Sequence, residues 1–379
     1  MTELFRFFLI IMTFISSVSI MAATSVDVLF CAYDMGESNA FNKLMSELDK
    51  QKITYKILAL GKSLDVFNQH PNLIKIDLPD VKSNREQTLG SDHLELIKNT
   101  VHPKIIIAGM SSVVQAQLLN SFRDAAYTVA FYDNFDDPES KEYIQPFLKT
   151  IGKIDEYFLP SETTLPGFQR SDVTRLAKLS VLGQPVLEDW DDTFVKTDKL
   201  ELRSRLHVSS MDKVLLFVGG YDDTYKDYFR LFVKAMKSFE TDSDLKVFVT
   251  YHPKTKGEAE KLIITEEGAR NIKIIEQDGP STAQIATISD VLLCHKSSVG
   301  IQALYIGLPV VYVVKKGDLN NFAINQGLAY EVEDLETLTD TVKNILSAAN
   351  SNKAPLKSLG IPKEATKKIT ERIKTLLLS

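Results

Sequence analysis

The densest chemistry in this sequence is His295-Lys296-Ser297-Ser298, set between the apolar run Val291–Cys294 and a short helical stretch, Val299–Tyr305, that stops at Gly307-Leu308-Pro309. Two hydroxyls at a predicted helix start, with free backbone N–H groups and the positive end of the dipole beside them, suit a phosphate or diphosphate. Either serine serves equally as a plain N-cap. Tyr251-His252-Pro253-Lys254 follows another apolar run. There the proline stiffens the backbone, and the imidazole can donate to a phosphate oxygen and stabilise a departing nucleotide. A lone histidine is, however, more often a structural hydrogen-bonding residue. Gly219-Gly220 lets backbone N–H groups approach an anion closely, a weak pattern by itself. Asp133, Asp136 and Asp137 crowd three carboxylates together. Their repulsion raises a pKa and fits Asp133, at a predicted strand end, to accept a proton. Asp136 and Asp137 read as surface groups of a solvated turn. In Gly36-Glu37-Ser38-Asn39 the glycine permits a tight turn and Ser38 or Asn39 can cap a helix. That segment is an acceptor-side loop or an ordinary strand–helix turn.

These clusters need a scaffold, and the sequence supplies one. From Val26 onward short apolar strands alternate with amphipathic helices, the pattern of parallel sheets covered on both faces. The first series has strands at 26–33, 53–60, 73–78, 104–109, 127–133 and 156–160, with helices at 38–49, 92–99, 112–125 and 140–150. A second series opens after Gly183-Gln184-Pro185, which looks like a linker. It has helices at 199–206, 225–239 and 282–289 and strands at 213–218, 246–251 and 272–275 before the His295 segment. The fold class is α/β, two Rossmann-like doubly wound parallel-sheet domains facing a cleft. The division expected is 26–182, then 183–362, with a helix over 363–379 crossing back to the first domain. Ile369, Ile373, Leu376 and Leu377 line one face of that helix. The clusters weighed for chemistry fall at predicted carboxyl ends of strands, where such sheets bind ligands.

Composition narrows the function. A chain of 379 residues with 44% apolar content and a formal charge of −6 is globular and offers no general electrostatic attraction to nucleic acid. Cys31 and Cys294 lie in apolar runs without metal or redox spacing. Residues 7–23 are apolar and follow Arg6, resembling a signal-peptide core or a short membrane anchor within a leader of 1–25. Export or membrane association follows from that reading, and a cytoplasmic location follows if translation starts at Met21. No Walker loop, Gly-x-Ser-x-Gly elbow, His-Glu-x-x-His or Gly-x-Gly-x-x-Gly fingerprint occurs. The pairs Asp191-Asp192 and Asp222-Asp223 lack the companions of a metal site, so neither metal nor cofactor is expected.

Taken together, these motifs resemble the GT-B superfamily of nucleotide-sugar glycosyltransferases and the related non-hydrolysing sugar-nucleotide 2-epimerases. The resemblance spans most of the chain after Val26 and is strongest over 183–314. Gly183-Gln184-Pro185 looks like the interdomain Gly-x-Pro, and 202–206 with 213–220 looks like the opening of the donor-binding domain. Gln302 stands where the family carries a ribose-binding acid, and the Glu pair of the 2-epimerases is absent. His252-Pro253 with Ser297-Ser298-Val299 is similar to the His-Pro and Ser-Ser motifs of bacterial sialyltransferases, polysialyltransferases and CDP-glycerol glycerophosphotransferases. Phe131-Tyr132-Asp133 resembles an acidic sialyltransferase motif, with Asn134-Phe135 in place of its glycine. The resemblance implies metal-independent, inverting transfer from a nucleotide-sugar donor, of cytidine type, to a glycan or lipid-linked acceptor in envelope glycan biosynthesis. Asp133 would be the base, His252, Pro253, Ser297, Ser298, Gly219 and Gly220 the phosphate site, and Gln302 the ribose contact. Two other readings stay open: a degenerate nucleotide- or glycan-binding protein, and a sugar-nucleotide 2-epimerase.

Overall fold

The computed structural model describes residues 23–78, 84–252, 255–319, 321–348 and 360–379. Nearly all of the leader expected at 1–25, and Pro253, lie outside the described residues. Among the described residues no helix is long and apolar enough to cross a membrane.

The first lobe is a six-stranded sheet of β1 (Thr24–Ala32), β2 (Tyr55–Ala59), β3 (Val101–Gly109), β4 (Tyr127–Phe131), β5 (Glu156–Leu159) and β6 (Lys178–Val181), in the order β2-β1-β3-β4-β5-β6. The second is a six-stranded sheet of β7 (Lys213–Val218), β8 (Leu245–Thr250), β9 (Ile272–Ile274), β10 (Val291–Cys294), β11 (Val310–Val313) and β12 (Tyr330–Val332), ordered β12-β11-β10-β7-β8-β9. All pairings are parallel. Central strands such as β1 and β10 read as unbroken apolar runs because helices cover both of their faces. Each sheet accordingly has a core on either side. The winding direction reverses between β1 and β3 and again between β7 and β10. Such switch points open a crevice outside the carboxyl ends of the strands.

Local departures from the expected elements have physical causes. The strand expected at 73–78 contributes only an isolated bridge between Ile57 and Leu73. It runs along an edge, with Ile74, Ile76 and Leu78 packed on one core and Leu73 on the other. The helix expected at 140–150 is broken into turns at Pro138–Ser140 and Glu142–Ile144 and a helix at Gln145–Thr150, with Pro146 in its first turn. The presumed linker is structured too. It follows β6 and leads straight into helix Pro185–Lys196, capped by Gln184 and seated on Leu187 and Trp190. Helix Leu335–Ser347 also escaped sequence reading.

The last helix, Ala365–Leu378, returns to the first lobe, where Ile369 and Ile373 enter its core. Arg372 closes on the buried Glu156 of β5, with Nε at 3.0 Å from both carboxylate oxygens and Nη2 at 2.6 Å from Oε2. Gly183 has φ +97°, and a Cβ there would stand 2.6 Å from the Pro362 carbonyl. Only glycine lets the outgoing and returning chains cross so closely.

Candidate functional site

A cleft of about 440 Å³ runs between the lobes. Met35, Gly36, Asn39 and Asp133 line it from the first lobe, and Lys296, Ser297, Ser298 and Gln302 from the second. Its volume is in the range of small-molecule sites.

Asp133 follows β4, and its backbone carbonyl accepts a 2.9 Å hydrogen bond from Gln184 Nε2, tying the interlobe turn to the acidic residue. Burial, followed by the charge of Asp34, pushes its carboxyl up to about 6, against the opposing pull of Arg85. The shift therefore does not come from Asp136 and Asp137, as their sequence proximity suggested. Asp136 is not a surface group. It is largely buried, accepts from Phe322 N of the second lobe and pairs with Lys141. Phe135 stacks on Phe322 beside it, with ring centroids 5.9 Å apart. Asp137 caps the following turn and pairs with Arg170.

The segment after β1 is helix Met35–Lys50 rather than a loop, and its cap is Asp34 rather than Ser38 or Asn39. Asp34 and Glu37 form a capping box, a signature legible as Asp-x-x-Glu. Ser38 is buried and turns its hydroxyl back to the Asp34 carbonyl at 2.5 Å. Gly36 faces Asp133 so closely that a Cβ would lie 2.0 Å from Oδ2. Arg85 reaches Asp34 Oδ2 at 2.5 Å and the Ser111 carbonyl at 3.1 Å, and lies over the rings of Tyr33 and Tyr143. Burial pushes the Asp34 carboxyl up, but the Arg85 bond, the Met35 N–H and the charge of Arg85 outweigh it and leave Asp34 below the usual range.

Glu37, not singled out from sequence, is the most buried acid here, at 0% exposure. Its Oε1 accepts from Tyr33 N, Asp34 N and Gln115 Nε2, and its Oε2 is 3.0 Å from Ser111 Oγ. It thus stitches the end of β1 to the end of β3, across the first switch point.

On the second lobe the imidazole of His295 is buried and fixed at both nitrogens. Nδ1 lies 2.7 Å from the Val313 carbonyl, and Nε2 lies 3.0 Å from Thr224 Oγ1 and 3.2 Å from Asp222 Oδ2. Because a carbonyl only accepts, Nδ1 carries a proton. His295 is therefore an anchor that presents Lys296, Ser297 and Ser298 to the cleft. Ser297 Oγ accepts from Val299 N at 3.3 Å and still lines the cleft, whereas Ser298, at the cap position of the helix, makes no side-chain capping bond. Lys296 Nζ has a 4.0 Å pairing with Asp318. Gly300 is required because a Cβ would lie 2.2 Å from Tyr312 Oη.

Gly219 and Gly220 end β7 beside this segment, but the Gly219 N–H is already committed to the Thr250 carbonyl at 2.8 Å. Side chains at these glycines would strike Glu260, Tyr251 and Tyr225. Their observed work is close packing. His252 follows β8 on the same rim, its ring 4.4 Å from that of Tyr221. It does not line the cleft with the serines. The reason is topological: β7 lies between β8 and β10, and two strand spacings amount to about 10 Å.

No protein-family model and no curated protein matches this sequence. Solved structures do share its architecture. A putative UDP-N-acetylglucosamine 2-epimerase from Listeria monocytogenes is similar at 14% identity and TM-score 0.68, over 93% of this chain and 96% of that one. MurG from Acinetobacter baumannii is similar at 12% identity and TM-score 0.63, over 93% and 99%. The wall teichoic acid polymerase TagF is similar at 13% identity and TM-score 0.58, over 93% and 89%. At these identities the likeness establishes the fold: two Rossmann-like lobes of the GT-B type.

Proposed function

We propose that the protein is a metal-independent, inverting glycosyltransferase that uses a nucleotide-activated sugar, with a cytidine nucleotide as the favoured donor. One observation carries the reading. A single cleft joins Asp133, a carboxyl with raised proton affinity, to the Lys296, Ser297 and Ser298 cluster of the opposite lobe. A base on one wall and an ammonium with two hydroxyls on the other is what transfer from a phosphate leaving group needs. The acceptor hydroxyl would lose its proton to Asp133 as its oxygen bonds the sugar carbon. The bond from that carbon to the donor phosphate would break, leaving negative charge that Lys296 and the serine hydroxyls offset. Gln302, one helical turn on, would meet the ribose, and His252 would act from the end of β8, two strands from the serines, on the more distant part of the donor. Residues 7–23, as an export signal or anchor, would bring the cleft to a lipid-linked or glycan acceptor at an envelope membrane.

Fold neighbours solved with UDP, UDP-N-acetylglucosamine and CDPG support a nucleotide-linked substrate without choosing among donors. A screen of CMP-, CDP-, UDP- and GDP-linked substrates tests the reading. One donor should be turned over, and Asp133→Asn should abolish turnover while the chain stays folded. A donor isomerised without any acceptor would instead establish a 2-epimerase. Binding of a nucleotide with no turnover of any donor would establish a binding protein without catalysis.

A further inference from the structure

We propose that Glu37 works as a neutral carboxylic acid, its Oε2 donating a hydrogen bond to Ser111 Oγ, and that in this form it ties β1 to β3 beneath the Gly36 turn without adding a second negative charge near Asp133.

The geometry around Glu37 is that of an amide site. Three N–H groups converge on Oε1, and none can reverse its role. Tyr33 N and Asp34 N are backbone donors. Gln115 is oriented by Ser111 N, which donates 2.8 Å to its Oε1, so its Nε2 must face Glu37. Oε2 meets only a hydroxyl, which can accept as readily as donate. Among the described residues no ion pair involves Glu37, and Arg85 pairs with Asp34 instead. A Cβ on Gly109 would lie 1.8 Å from Oε2, so the floor is closed and water has no room to enter from that side. A carboxylate with no cation in such a site keeps its proton unless other groups compensate.

The groups that face it point the same way. Asp133 stands across Gly36, and the Cys31 thiol and Tyr143 phenol, both held neutral, offer Glu37 no compensating positive charge. Burial and then the Asp133 charge push Glu37 up to about 8, against the pull of its hydrogen bonds, whereas Asp133 sits near 6. Of the two carboxyls, Asp133 borders the open cleft and feels the opposing pull of Arg85, so it ionises before the enclosed Glu37. The proton on Glu37 is a statement about the fold, whereas its service to Asp133 rests on the function proposed above.

The test is Glu37→Gln in the full chain, because glutamine copies the arrangement inferred for the protonated acid: an oxygen for the three donors and an NH₂ for Ser111. A folded-state pKa above the unfolded one means that stability is lost as pH rises toward the folded value. The wild-type folding constant, relative to that of Glu37→Gln, should fall about tenfold per pH unit between about pH 5 and about pH 8. Urea unfolding at several pH values reads this without any substrate. A ratio that stays flat with pH means an ionised Glu37 and overturns the proposal, whether or not transfer is ever detected. If the variant does not fold, carbon-13 NMR of glutamate-labelled wild type decides. One carboxyl titrating near 8 supports the proposal, and all titrating below about 6 sinks it. Once a donor is known, the wild type should lose activity above about pH 8, and the variant should lack that limb.

Discussion

Gly36→Ala separates the placement of Asp133 from the stability of the lobe that holds it. A Cβ at position 36 would lie 2.0 Å from Asp133 Oδ2 and 3.2 Å from Cγ, yet 3.9 Å from Cβ. Only the tip of the side chain collides, more than about 1 Å inside ordinary van der Waals separation. The tip borders an open cleft, so it can swing away at a cost of about 0.5–1.5 kcal/mol. Replacing glycine by alanine inside a helix returns about 0.5–1 kcal/mol. The two effects nearly cancel, and the urea midpoint should stay close to wild type. Catalysis has no such compensation, since a 1 Å misplacement of a reacting group costs about 10²-fold in rate. The assay pairs urea unfolding with kcat/KM on whichever donor the screen identifies. Gly109→Ala is the contrast. There a Cβ would meet Glu37 Oε2 at 1.8 Å, Cδ at 2.1 Å and Oε1 at 2.7 Å. That head group is buried and held on all sides, so the overpacking should cost about 3 kcal/mol or prevent folding. A Gly36→Ala protein with wild-type kcat/KM would refute the reasoning, because the position of Asp133 would then be irrelevant to turnover.

Other consequences can be checked alongside. Since the base must be ionised, kcat/KM should fall about tenfold per pH unit below the Asp133 value of about 6, and a profile flat to pH 5 would remove that role. Lys296→Ala should weaken nucleoside diphosphate binding about tenfold or more, with Lys296→Arg restoring most of it. Equal affinities by calorimetry would take Lys296 out of the phosphate site. Arg372→Met leaves the buried Glu156 without its guanidinium and should cost about 3–5 kcal/mol in urea unfolding. Adding Glu156→Gln should recover part of that loss, and strictly additive costs would mean the pair is not coupled.

The alternation of apolar strands and amphipathic helices determined the two-sheet architecture, because burial on both faces writes itself as unbroken runs such as those of β1 and β10. The same local signals placed the His295–Ser298 and Asp133 clusters at strand ends, and the order of strands turned those ends into facing rims of one cleft. Helix Pro185–Lys196 hid behind its acidic residues, since its apolar face is only as wide as Leu187 and Trp190. Which groups share a wall was beyond local reading. That His252 stands two strands away from the serines depends on β7 lying between β8 and β10, a pairing of residues remote in the chain. Glu37 and Gly109 are 72 positions apart, and Glu37 and Asp133 are 96. Proton affinity in such a pocket is set by what closes over it, and only the folded chain decides that.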